Sequence, residues 1–125
     1  MIKHRLGALA LVVVTAALVW ALPAGAQQST AQAKATKVVV SAGTPTEFKF
    51  KLSKLTVPKG VVTFVVTNKG QLPHDFKIAG KQTKLLQHNK SQTLKVTFKK
   101  AGKYPYLCTV SGHAAAGMKG TLRVK

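Results

Sequence analysis

A chain of 125 residues has room for one ordinary domain. Its single cysteine, Cys108, excludes an internal disulfide framework. Twenty Lys and Arg stand against 2 acidic residues, Glu47 and Asp75, for a net charge of +18. Such a field attracts acidic surfaces and speeds association with them, but does not decide a fold.

Met1-Ile-Lys-His-Arg5 is a basic start, and Leu6 to Leu22 is apolar or small apart from Thr15. Ala24-Gly25-Ala26 then fits the small-residue pattern of a cleavage site. Residues 1–26 therefore read as a secretory signal cut before Gln27, which places the product in the periplasm or outside the cell. The alternative is an uncleaved membrane anchor, since a run of roughly 17 residues is at the short limit for spanning a bilayer. Export argues against nucleic acid as the partner of the basic chain. Acidic redox proteins, anionic membrane headgroups and cell-wall polymers remain, as does the plain alternative that the lysines are solvated sheet faces.

Residues 27–36 are polar and alanine-rich and read as a flexible tether before a domain over 37–125. Lys37–Ala42 opens a β pattern. Glu47–Leu52 alternates, with Phe48, Phe50 and Leu52 on one face and Lys49 and Lys51 on the other. Leu55 and Val57 continue inward until Pro58-Lys59-Gly60 turns the chain. Val61–Thr67 is nearly all apolar, which predicts a central strand covered on both sides. Asp75–Ile78 reads as a short strand, and Lys81–Ser91 has no clear pattern. Gln92–Lys99 alternates again, with Leu94, Val96 and Phe98 inward. Tyr104–Cys108 and a last strand with Leu122 and Val124 follow. Short strands between Gly, Pro and Asn turns predict an all-β sandwich. No helix and no internal repeat is evident.

The chemistry sits in Tyr104–Gly120. Cys108, His113 and Met118 follow a Cys-x4-His-x4-Met spacing. A thiolate, an imidazole and a thioether form a soft donor set, which selects copper over magnesium, calcium or manganese. A buried apolar cysteine is the plain alternative for Cys108, but the His and Met beside it favour a ligand. Two His with one Cys and a weak axial Met is the blue-copper electron-transfer arrangement. The second His must come from elsewhere, and His74 ends an apolar run upstream. Tyr104, Tyr106 and Cys108 share one strand face, so the thiol points into the fold at the strand's end. His88 matches no ligand position and reads as a surface-turn histidine.

Asn68-Lys-Gly-Gln-Leu-Pro-His74-Asp75 and Gly102-Lys-Tyr-Pro-Tyr-Leu-Cys108-Thr-Val-Ser-Gly-His113-Ala-Ala-Ala-Gly-Met118 resemble the cupredoxins, the small type 1 (blue) copper proteins. Within that family the loop spacing is more like auracyanin and rusticyanin than plastocyanin. The resemblance spans the exported domain and implies a Greek-key β-sandwich. It implies one copper ion held by His74, Cys108, His113 and axial Met118. It also implies a bond across the site between the residue after the first His, Asp75, and the residue after the Cys, Thr109. Asp75 stands where the family often has Asn. Its charge would lower the reduction potential, unless it is protonated, paired or turned outward to a lysine. The His113 edge would reach the surface within a small apolar docking patch of Leu72, Pro73, Ala114, Ala115 and Ala116. Leu107 precedes the Cys where plastocyanin has an exposed aromatic, so electron traffic is expected through His113. Tyr104 resembles the family's buried corner tyrosine.

The leading reading is a monomeric electron carrier, not an enzyme, that shuttles single electrons between redox partners such as a cytochrome or an oxidase. A second is a periplasmic or extracellular copper carrier or resistance protein. A third is a metal-free adhesion domain, which would bind acidic polymers and show no colour with copper.

Overall fold

The structure, a computed structural model, describes Gly25 and residues 34–125. The expected signal, Gly25 apart, and most of the expected tether therefore lie outside the described residues. Nine strands follow: β1 (Thr36–Ala42), β2 (Phe50–Leu52), β3 (Thr56–Val57), β4 (Gly60–Asn68), β5 (Lys77–Ile78), β6 (Lys81–Gln82), β7 (Ser91–Phe98), β8 (Gly102–Leu107) and β9 (Lys119–Val124). Among the described residues no helix is long and apolar enough to cross a membrane.

The strands form two sheets, ordered β2-β1-β4-β7 and β3-β9-β8-β5-β6. The chain passes repeatedly between them, as the expected sandwich requires. β4 runs parallel to β1 and antiparallel to β7, and β8 is antiparallel to β9. Alternation along each strand builds the core. Val38 and Val40 of β1, Val62, Phe64 and Val66 of β4, and Leu94, Val96 and Phe98 of β7 face Ile78, Tyr106, Leu122 and Val124 of the other sheet. Fully burying one such side chain stabilises the fold by about 1.5–3 kcal/mol. Tyr104 packs edge-on against Phe98, and its hydroxyl donates to the Lys100 carbonyl at 2.7 Å, a corner tie.

Several expectations fail. Of the strand expected over Asp75–Ile78 only Lys77–Ile78 pairs, and Tyr104 is half-buried, not buried. β4 is central, but only alternate residues are buried, and Val61 keeps 39% exposure. The apolar run suggested two covered faces; in fact Thr63, Val65 and Thr67 form a half-exposed outer face. Leu55 is exposed, because β3 begins only at Thr56 and Val57 alone turns inward. The strand expected from Glu47 starts at Phe50, and Glu47 and Phe48 lie in a turn. That turn takes both side chains out of the ladder and toward one end of the sandwich.

Candidate metal centre

At that end β8 delivers Cys108 just past its last residue, with the inward phase of Tyr106. The chain then folds through successive turns. His113 N–H donates to the Val110 carbonyl, Ala116 N–H to Gly112 and Gly117 N–H to Ala114, each at 3.0 Å. Met118 N–H donates back to His113, and Cys108 N–H to the Met118 carbonyl at 3.1 Å. Gly112 (φ 82°) and Gly117 (φ 112°) take left-handed conformations that strain other residues. The loop thus closes with His113 and Met118 turned back on Cys108.

His74 comes from the other side, after the β4 loop. Its backbone pairs with Leu86. Phe76, two residues on, is fully buried and packs against Phe50, Phe64 and Tyr106. This aromatic anchor fixes the segment that carries His74.

The donors meet. His74 Nδ1 lies 3.1 Å from His113 Nδ1, and Cys108 Sγ lies 3.6 Å from His113 Nδ1 and 4.0 Å from His74 Nδ1. All three are buried. Assigning bonds of roughly 2.0 Å to nitrogen and 2.3 Å to sulfur, as zinc proteins show, lets one ion touch all three. The three residues therefore fit a Cys-and-two-His metal site. Met118 is fully buried in one cluster with Cys108 and Ala42, walled by Phe48, Phe50 and Val110. Phe48 meets the His113 ring edge-on at 5.0 Å.

Polar contacts hold the donors. Asp75 Oδ1 accepts the Thr109 N–H at 2.6 Å, and Oδ2 accepts the Thr109 hydroxyl and, at 2.9 Å, the Gln82 amide. Asp75 is buried, so the outward alternative does not hold. Asn68, also buried, donates to the Leu72 and Leu86 carbonyls and accepts from Gly70 N–H, shaping the loop before His74. Exposed His88 contacts the Gly70 carbonyl through Nδ1 at 2.7 Å and takes no place among the donors.

Glu47 was invisible as a site residue in the sequence. Its carboxylate lies 2.7 Å from His74 Nε2 and accepts N–H bonds from Gln71 and Leu72. The chain's only two acidic residues, Glu47 and Asp75, are therefore both at this site. That scarcity was the one available signal.

The donor environment favours neutral groups before a metal arrives. Burial pushes the Cys108 thiol up, so metal binding must displace its proton. Burial first, and then the electrostatic influence of the neighbouring His74 ring, push His113 down, which keeps its ring neutral and able to ligate. The Gln71 N–H first, then those of Leu72 and the His74 ring, lower Glu47 to about 2 and keep it anionic.

Of the expected docking residues, Leu72, Ala115 and Ala116 are exposed, and Pro73 and Ala114 are half-buried. His113 keeps 9% exposure at the same loop.

Residues 11–124 match the family described as Cupredoxin-like domain. No curated protein matches the chain in sequence. Among solved structures, dithionite-reduced auracyanin from Roseiflexus castenholzii is 21% identical, with a TM-score of 0.63 over 74% of this chain and 98% of that one. Auracyanin A from Chloroflexus aurantiacus, described as a "blue" copper protein, is 22% identical (TM-score 0.64, 74% and 100% covered). Rusticyanin from Thiobacillus ferrooxidans is 26% identical (TM-score 0.63, 74% and 78% covered). At these identities the auracyanins speak to the fold.

Proposed function

This chain belongs to the cupredoxin-like domain family, and from that premise we propose that it is an exported blue copper protein that carries single electrons between larger redox partners. The observation that carries this is the convergence of His74, Cys108 and His113, three buried donors within reach of one ion. Its cofactor is a single type 1 copper ion, which supplies a reversible one-electron couple. Cys108 would hold it as a thiolate, His74 and His113 as neutral imidazoles through Nδ1, and the Met118 thioether would be the weak further donor that tunes the potential.

The protein's part is to hold these groups still. Cys108 and His74 stand on backbone fixed by β8 and by the Phe76 anchor. The turns of the 109–117 loop and the Asp75–Thr109 bonds tie the two sides together. Donors fixed in one place need little rearrangement when the charge changes, so electron exchange is fast. Nothing in this role requires a bound substrate or catalysis.

His113, at the rim of Leu72, Pro73 and Ala114–Ala116, is the proposed path for electrons. Small side chains there let a partner approach closely. The basic surface favours an acidic partner, a cytochrome or oxidase, met by a monomer in the periplasm or outside the cell. Residues 1–26 would be the signal that takes it there.

A copper carrier would share the donor set. A site made for handing over metal should be exposed, whereas these three donors are buried, which favours electron transfer. Mixing the Cu(I) form with an oxidised c-type cytochrome tests the choice. The proposal expects one fast oxidation step with copper retained; loss of copper to a chelator at the same rate would support the carrier.

A further inference from the structure

We propose that Glu47 is a positioning residue that fixes the His74 ring in its Nε2–H tautomer and holds a negative charge against it, so lowering the reduction potential. The inference rests on the copper reading above.

The geometry is built for this contact. His74 is fully buried, and its Nε2 meets Glu47 Oε1 at 2.7 Å. Nε2–H must donate, because a carboxylate only accepts. In the neutral ring Nδ1 then keeps its lone pair, and Nδ1 is the atom that lies beside His113 Nδ1 and Cys108 Sγ. A carboxylate behind a ligating imidazole orients the ring and raises its basicity. More basic ligands favour Cu(II) over Cu(I).

The same carboxylate accepts Gln71 N–H at 3.0 Å and Leu72 N–H at 2.9 Å, so the β1–β2 turn is fastened to the His74 loop. Two glycines permit the approach. A Cβ on Gly70 would strike the Glu47 carboxylate and the His74 ring, and one on Gly43 would strike the Gly70 backbone. In the turn Phe48 follows Glu47 and packs on His113, so one short segment braces both imidazoles.

The test compares Glu47→Gln with the parent protein, loaded with copper. Gln keeps the length and one acceptor oxygen but removes the charge. The potential should rise by tenfold or more in the Cu(I)-to-Cu(II) affinity ratio, about 59 mV for a one-electron couple, with the thiolate band retained. An unchanged potential with a lower melting temperature of the metal-free variant would reduce Glu47 to a loop fastener and overturn the proposal. A second readout needs neither variant nor copper. Nitrogen-15 spectra of the metal-free parent protein should show His74 protonated at Nε2 and protected from exchange; protonation at Nδ1 alone would overturn it. Absence of any thiolate band in the parent protein would instead sink the copper reading, so the two failures are distinct.

Discussion

Asp75 accepts the backbone N–H of Thr109 at 2.6 Å, joining the segment that carries His74 to the residue after Cys108. The bond ties together the two segments that carry the donors, next to His74 and Cys108 in the chain. Asp75→Asn keeps the shape and removes the carboxylate charge. It should raise the reduction potential, because less negative charge beside the site favours Cu(I). It should also cost about 1–2 kcal/mol of stability, since a hydrogen bond to a charged group becomes a neutral one. Protein-film voltammetry and denaturant melts measure the two. An unchanged potential would mean that Asp75 is neutral or fully screened.

Met118 is fully buried against Cys108. Met118→Leu conserves most of the volume and should cost less than about 1.5 kcal/mol. The visible band should persist while the potential moves, because the proposed thioether donor is lost and the thiolate is kept. An unmoved potential would take Met118 out of the axial role.

Acid should destabilise the metal-free protein in two windows. The His113 ring is held below its ordinary value of 6.5. As pH falls below 6.5 the unfolded chain takes up a proton that the folded ring refuses, and stability drops until the ring's own lowered value is reached. Glu47, lowered from 4.5 to about 2, contributes stability that is present above 4.5 and lost as pH falls toward 2. Urea melts across pH should show both declines. The copper-loaded protein should resist the first, because His113 is then a ligand and protons must compete with metal. Equal profiles with and without copper would argue against His113 as a ligand.

Ala115 is exposed in the loop that ends at Met118. Ala115→Glu should slow electron transfer to the physiological partner and leave the spectrum alone. Raising ionic strength should slow the parent protein's association as well, by screening its basic surface. An unaltered rate in the variant would move the docking patch elsewhere.

Much of this was legible because strand phase is local. Alternation in Tyr104–Cys108 and Gln92–Lys99 gave the inward residues, all of which the structure buries except Tyr104, which is half-buried. The donor set was legible because three of its members share one loop. Glu47 was not, because its role depends on two loops meeting across a pair of glycines far apart in sequence. Lys81–Ser91 was opaque for a related reason. Its order comes from the two-residue strand β6, whose residues are both exposed, and from single ties, Leu86 with His74 and Thr83 with Phe76, which leave no repeating pattern. The apolar run of β4 misled because Val61 and Val65 lie on the outer face, where burial does not select them.

Electron carriage by this protein requires that Cys108 bind copper as a thiolate beside two imidazoles. Its most direct test is the visible absorption spectrum of the protein with one equivalent of Cu(II), taken alongside Cys108→Ser. The parent protein should show one intense thiolate-to-copper band and the variant none. A pale parent protein, or a band that survives the loss of the sulfur, would contradict it.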